Sequence, residues 1–316
     1  MFSVAAAVVA LLAVAACGDN KGRPIPADAD VDRDGPVATA DGPVATPDGP
    51  VATPDGATPD SPTPPADGPV AVTPTAFRLT TLFLRDPHIQ VSSDTDCFDV
   101  TDPNPLGIAV NDLIATNMTT DADGDTFLDF SPVLIFRPLG AGAPSGPVDF
   151  AIARCTAAMP TSCTTGPAAP TPMTATNAAT GTCLAPISGT TSGYTPPVGT
   201  TPAACFATAD QPLHIELSGI PVNLIHTQIA ATYEGDPATG LTSGLLRGFL
   251  TEAEADMTFL PASLGLGDDV RLSLLLSGGN GNPCMPSDKD TVDGVSGWWF
   301  YLNFTAAPVP WTDPAP

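Results

Sequence analysis

The chain has 316 residues with 34 acidic, 10 basic and 3 histidine side chains, which gives a formal net charge of −24. This balance argues against nucleic acid as a partner, because phosphate contacts need clustered Lys and Arg side chains. A fully disordered chain is excluded as well, because 43% of the residues are hydrophobic. Residues 77–316 hold 20 Asp but only 4 Glu. Since Asp favours turns and oxygen-ligand metal sites over helix interiors, the acidity of that region indicates loop chemistry.

Residues 1–16 are predicted to be a signal peptide, because the apolar run that begins at Val4 is too short to span a bilayer. The run ends in Val14-Ala15-Ala16-Cys17. This pattern resembles the bacterial lipobox, which implies cleavage after residue 16 and attachment of acyl chains, palmitate among them, to Cys17. Such chains hold a soluble domain on a membrane, so the resemblance implies an outer-membrane or cell-surface location. The alternative is an ordinary signal peptide followed by an incidental cysteine.

Residues 17–76 form a repetitive spacer in which the unit DGPVATP recurs with a period of seven. Each unit contains a Pro and a Gly, which break helices, and none contains a large apolar stripe. Such a segment cannot bury enough apolar surface to offset its conformational entropy. We therefore expect a disordered linker that lifts the following region off the membrane.

Residues 77–316 are predicted to form a single globular domain of mainly β structure. Strands are indicated by short alternating or β-branched runs, at Phe77–Arg85, Val133–Arg137, Val148–Ala153, Leu213–Leu217, Val222–Tyr233, Leu245–Leu250 and Trp298–Phe304. Helices are indicated by apolar spacing or a capping residue, at Ile108–Met118, Thr251–Asp256 and Asp268–Leu276. The pattern favours an antiparallel β sandwich with a few helices, and an α+β fold is the alternative.

The stretch 156–204 contains no charged residue and is dominated by Thr, Ala, Pro and Gly. A patternless loop of this length is uncommon unless it is functional or covalently fixed, and cysteines frame and divide it. Six cysteines remain when Cys17 is set aside, and an exported chain is expected to form three disulfides from them. The sequence alone allows several pairings. We favour the pairs Cys155–Cys163, Cys183–Cys205 and Cys97–Cys284.

The segment from Asp121 to Asp129 reads DADGDTFLD. It resembles the calcium loops of EF-hands, dockerins and thrombospondin type 3 repeats. By position, the resemblance assigns the ligands as Asp121, Asp123, Asp125, the backbone carbonyl of Phe127, and Asp129. Thr126 stands where such loops have Gly, and Pro132 stands where they have a bidentate Glu. We therefore expect a lone structural calcium site, with a solvated acidic turn as the alternative.

Two further acidic clusters occupy residues 94–102 and 288–293 and lie next to Cys97 and Cys284. If these cysteines pair, the clusters meet and could form a second ion site, and solvated turns are the alternative. No sequence motif of a known catalytic class is present. Histidines occur only at 88, 214 and 226, and they are more typical of structural or surface positions than of general bases.

The chain as a whole resembles surface lipoproteins of the myxobacterial type that carry Asp/Gly/Pro linkers. The first functional hypothesis is a membrane-anchored lipoprotein that displays a calcium-stabilised, disulfide-bonded binding or structural domain. Its partner would be a protein or a glycan. The second hypothesis is a lipid-anchored hydrolase that acts on polysaccharide through an acidic cleft, because pairs of carboxylates that meet in space are invisible in a sequence.

Overall fold

The structure is a computed structural model that describes residues 73–92, 96–104, 107, 109–217, 220–260 and 270–314. The predicted signal peptide, Cys17 and residues 17–72 of the predicted linker lie outside the described residues. The first strand begins at Thr75, two residues before the predicted domain boundary. Helices in the described part are few and short, namely α1 (Val110–Asn117), α2 (Glu252–Met257) and a 3-10 helix (Leu272–Leu275).

Strands dominate the described residues, and the mainly β, antiparallel fold class is confirmed. The strands are β1 (Thr75–Asp86), β2 (Gln90–Ser92), β3 (Cys97–Asp99), β4 (Pro132–Phe136), β5 (Ser145–Ile152), β6 (Arg154–Cys155), β7 (Cys163–Thr164), β8 (Thr171–Ala178), β9 (Thr182–Leu184), β10 (Val198–Gly199), β11 (Cys205–Thr208), β12 (Gln211–Leu217), β13 (Ile220–Glu234), β14 (Gly240–Thr251), β15 (Asp290–Val292), β16 (Val295–Val309) and β17 (Trp311–Thr312).

One continuous antiparallel sheet contains most of the long strands. Its order is β1-β4-β5-β8-β11-β13-β14-β16, and β16 pairs back onto β1, so the sheet closes on itself. Strand β15 extends the sheet beside β16, and β12 pairs with β13. Because the sheet is closed, its inner face surrounds one core. The two layers that a sandwich has are here parts of the same hydrogen-bonded sheet.

The main core fills the inside of the closed sheet. Alternation along each strand sends every second side chain inward, and the aromatic rings meet edge to face there. The Phe136 ring centroid lies 5.9 Å from that of Phe77 and 5.2 Å from that of Phe206. Each large apolar side chain buried in this way stabilises the fold by about 1.5–3 kcal/mol, so the core supplies most of the driving force.

Strand β16 is buried on both faces. Trp298, Phe300 and Leu302 belong to the inner core, whereas Trp299 and Tyr301 belong to a second cluster on the outer face. This double burial explains why the strand reads as a continuous apolar and aromatic run instead of an alternating one.

The uncharged stretch 156–204 is not one patternless loop, which corrects the expectation from its composition. Its central part is β8, a strand of the main sheet that sends Met173 and Ala175 inward. Its later part covers the outer face of the sheet, where Leu184 and Val198 pack on the second cluster. Thr-rich alternation with small side chains gives β8 too weak an apolar signal for sequence-based detection.

The described cysteines form three disulfides, and the pairs are those favoured from the sequence. Cys155–Cys163 and Cys183–Cys205 close short loops around the uncharged stretch, and Cys97–Cys284 joins positions that are 187 residues apart.

The predicted helices had mixed outcomes. The predicted helix Ile108–Met118 corresponds to α1, and the predicted helix Thr251–Asp256 corresponds to α2. Thr251 caps α2 by accepting a hydrogen bond from Glu254 N. The predicted helix over 268–276 is, in its described part, only the 3-10 helix, which is preceded by extended backbone at Arg271.

Candidate functional site

The acidic loop 121–129 is held between the end of α1 and the start of β4. Helix α1 ends where the hydroxyls of Thr119 and Thr120 bond back to the carbonyls of Ala115 and Thr116, at 3.0 and 2.9 Å. Such side-chain bonds compete with helix continuation. Beyond the loop, Leu128 N donates to the Cys155 carbonyl at 2.8 Å. The loop is therefore anchored on one side by a helix and on the other by a disulfide-bonded segment.

Within this acidic loop the carboxylates accept hydrogen bonds from the loop's own backbone. Thr126 N donates to Asp121 Oδ2 at 2.9 Å, and Asp125 N donates to Asp123 Oδ1 at 3.1 Å. The turn needs left-handed backbone at Gly124 (φ 76°) and also at Thr126 (φ 78°). A β-branched residue is an outlier in that region, so the tight turn forms at a cost in strain.

Three of the predicted ligands are brought together. One ligand oxygen each from Asp121, Asp123 and Asp129 lies within 4.8 Å of the other two. Asp129 is oriented by Ala122 N, which donates to its Oδ1 at 3.0 Å. Asp121 Oδ1 is buried and has no hydrogen-bond partner among the described residues. A buried carboxylate oxygen without a partner is costly, and a cation would remove that cost.

Of the other two predicted ligands, Asp125 lies outside this triad, and the role of the Phe127 carbonyl stays a prediction. Asp125 forms an ion pair with Arg154, whose Nη2 lies 3.3 Å from Asp125 Oδ2. The same guanidinium stacks over Phe127, with its central carbon 4.2 Å from the ring centroid. The sequence placed Asp125 among the ligands by spacing alone, and it gave no sign that Arg154 would lie beside it.

The two other acidic clusters do meet in space, and they meet at His88. The disulfide Cys97–Cys284 ties their segments together. His88 Nδ1 forms a close hydrogen bond with the carboxylate of Asp99 from the first cluster, and the charge of Asp288 from the second also acts on His88. Among the described residues, three metal-ligating side chains converge only in the acidic loop. In the described part of these two clusters no converged ligand set therefore marks the expected second ion site, and His88 lies between them instead.

The pKa values around His88 are shifted by burial and by its neighbours. The hydrogen bond to Asp99 raises the pKa of His88. Asp86 is only 6% exposed, and burial, together with the charges of Asp288 and Asp290, raises the pKa of its carboxyl. Burial also raises the pKa of Asp288. Burial acts in the same direction on Asp99, but hydrogen bonds from His88 and Thr101 outweigh it and lower the pKa of that carboxyl.

A cavity of about 580 Å³ opens beside this cluster. Its walls come from the end of β1 and from the uncharged stretch 156–204. The other walls are β16, which carries Asn303, and the segment before β15, which carries Asp288. The lining residues are Arg85, Asp86, His88, Thr191, Gly193, Tyr194, Thr195, Pro196, Asp288 and Asn303. Sequence reasoning missed this cavity, because its walls lie far apart along the chain and no local motif joins them.

Comparison of the chain with protein-family models, with curated proteins and with solved structures finds no match. Within the described ranges, no helix has the length and apolar character needed to cross a membrane.

Proposed function

We propose that this protein is a lipid-anchored surface lipoprotein that displays a disulfide-bonded β domain whose acidic loop is stabilised by calcium. The anchor is inferred from the lipobox pattern that ends at Cys17 and from the spacer that follows it. The proposed location is the outer membrane or cell surface. The observation that carries the calcium proposal is the convergence of Asp121, Asp123 and Asp129 within 4.8 Å.

Calcium suits this triad because it binds hard oxygen ligands in flexible geometry. Three carboxylates this close repel one another unless protons or a cation intervene. The Oδ1 of Asp121 supplies an acceptor that no group in the described part of the chain satisfies. Magnesium demands near-ideal octahedral geometry and gives up its water reluctantly, so it suits a loop of this kind less well.

The role of the ion is structural, because the loop holds α1 onto the core. Ile114 and Met118, at the end of α1, are buried in the main core. The chain returns from the loop through Phe130, whose N–H donates to the Asn117 carbonyl at 2.9 Å. Fixing the loop fixes the helix end, and this couples ion binding to the stability of the core.

The calcium proposal is tested by thermal unfolding of the full chain with calcium and with a chelator. Calcium at about 100 times its Kd should add about 2.7 kcal/mol, which corresponds to a rise in Tm of about 5–10 °C. Asp121→Asn and Asp123→Asn should abolish the rise. Asp236→Asn, which removes an exposed turn carboxylate elsewhere, should keep it. A Tm that ignores the chelator in the unsubstituted protein would contradict the proposal.

The lipid anchor is tested independently of calcium. In a bacterial host supplied with a labelled palmitate analogue, the protein should incorporate the label and sediment with membranes. Cys17→Ala should lose both properties, because acyl chains supply the membrane affinity. The anchor proposal fails if the unsubstituted protein is unlabelled, or if the alanine variant stays on membranes to the same extent.

A further inference from the structure

The cavity beside His88 is held open by contacts of its own walls. Thr191 fixes the uncharged stretch to the opposite wall, since its hydroxyl donates to the Asp288 carbonyl at 2.8 Å and its N–H to Asp290 Oδ1 at 2.8 Å. Tyr194 stacks on Tyr301 with ring centroids 4.7 Å apart, and its hydroxyl accepts from Asn303 Nδ2 at 2.6 Å. The shape of the cavity therefore exists before any ligand enters, which lowers the entropy cost of binding.

The walls offer hydrogen-bond acceptors and donors side by side. Asp86 and Asp288 supply carboxyl oxygens, and Arg85 supplies guanidinium N–H groups. His88 uses Nδ1 for Asp99, which leaves Nε2 as its second ring nitrogen. Asp86 is buried at the cavity wall, and hydrogen bonds made at sites of low dielectric are stronger than those made in water.

Three ligand classes fit these walls poorly. A bare metal ion lacks a converged ligand set, since among the described residues such a set occurs only in the acidic loop. An anion would meet the carboxyls of Asp86 and Asp288 in a chain of net charge −24. An organic cation would meet Arg85 and the charged form of His88 on the same walls.

A neutral ligand with many hydroxyl groups fits both sets of wall groups. Each hydroxyl can donate to a carboxylate and accept from a guanidinium N–H, and His88 Nε2 can accept from a hydroxyl in the neutral ring or donate to one in the protonated ring. Tyr194 adds an aromatic surface, and aromatic side chains combine apolar area with a polar tip. Trp298 and Trp299 cannot provide this aromatic surface, because both are buried. The cavity volume of about 580 Å³ lies within the range of small-molecule sites, about 300–1,000 Å³.

We propose that this cavity is a binding site for a neutral saccharide, whose hydroxyls form hydrogen bonds with the carboxyls of Asp86 and Asp288, with Arg85 and with His88. The site is separate from the acidic loop, and the inference stands whether or not the calcium proposal holds.

The test measures binding calorimetrically with the purified full chain in detergent, in the presence of excess calcium. The neutral probes are maltotriose, cellotriose and mannotriose. Trigalacturonic acid, the chitosan trimer and spermidine serve as charged probes. We expect a neutral trisaccharide to bind, and we expect Asp288→Asn and Arg85→Gln each to weaken it by about tenfold or more, as for a lost hydrogen bond to a charged group. Asp236→Asn should bind like the unsubstituted protein.

Each variant is also checked by its melting temperature, so that loss of binding is separated from loss of folding. The proposal is overturned if none of the neutral trisaccharides binds at millimolar concentration, or if a charged probe binds more tightly than all of them. It is equally overturned if Asp288→Asn and Arg85→Gln both retain full affinity, because the saccharide would then bind elsewhere.

Discussion

Two acidic regions of this domain resolve charge repulsion in different ways. In the acidic loop the carboxylates are neighbours in sequence, accept hydrogen bonds from their own backbone and bring three oxygens within 4.8 Å. In the cluster beside the cavity the carboxylates of Asp86, Asp99 and Asp288 act on His88, and the charge of Asp290 acts on Asp86. Under the calcium proposal the first arrangement takes a cation from solution, whereas the second has a histidine among its carboxylates.

This difference teaches that the local density of Asp does not decide whether a site needs a metal. The acidic loop has no basic residue within its own span, and Arg154 reaches only Asp125. The cavity cluster has His88, and burial raises the pKa of Asp86 and of Asp288. The two regions should therefore respond differently to disulfide removal, to backbone changes and to pH.

The largest effect is expected from removing the disulfide that assembles the cavity cluster. Cys97→Ser with Cys284→Ser opens a link between positions 187 residues apart, and loss of such a native disulfide costs about 2–5 kcal/mol. Urea unfolding measures this loss. The calcium-dependent rise in Tm should persist in the double variant, because the acidic loop is anchored by α1 and by the Cys155 segment. If the calcium response disappeared as well, the two regions would not be independent.

A smaller effect, of opposite sign, is expected at Thr126 in the acidic loop. Its φ of 78° is left-handed, which costs a non-glycine residue about 1–2 kcal/mol. Thr126→Gly should therefore raise the free energy of unfolding by about 0.5–1 kcal/mol, after the greater entropy of an unfolded glycine is subtracted. Urea unfolding at fixed calcium provides the measurement. Thr174→Gly, at an exposed strand position, should instead lower stability, and equal effects at the two sites would refute the strain argument.

The smallest effect concerns pH and the cavity cluster. The pKa of His88 is raised in the folded state by Asp99, so its stabilising contribution is complete below the unfolded value of 6.5. That contribution is lost as pH rises through the folded pKa. The His88 side chain is 52% exposed, and solvent screening keeps the effect below about 1 kcal/mol. The pKa values of Asp86 and Asp288 are raised above 3.8 in the folded state. These two carboxyls therefore also lower the stability as pH rises, beginning at pH 3.8 and so at lower pH than His88.

Melting curves recorded in chelator between pH 5 and pH 9, a range that includes the ordinary histidine pKa of 6.5, measure this effect. His88→Gln should flatten the decline, whereas His214→Gln, at a ring that bonds the amide of Asn223, should leave it in place. An unchanged pH profile in His88→Gln would show that His88 does not balance the cavity carboxylates.

Local patterns sufficed to predict much of this structure. Strands such as β4 and β16 carry strong β-branched or aromatic runs, and Thr251 carried a capping signal that the structure uses. The favoured disulfides also agree with the structure, since a signal peptide implies an oxidising compartment and two of the pairs are close in sequence. Strand β8 was missed, because Met173 is the one large apolar side chain among its threonines and alanines.

The sequence by itself determined the β-rich class, the number of cysteines available for disulfides and the acidic loop, because each depends on residue types that are near in the chain or few in number. Only the tertiary structure decided that the sheet closes on itself and that Asp125 pairs with Arg154 instead of joining the triad. It also decided that Asp86, His88, Tyr194 and Asp288 surround one cavity. The physical reason is that burial and electrostatic contact depend on distance in space, and the closed sheet brings together positions that the chain keeps apart.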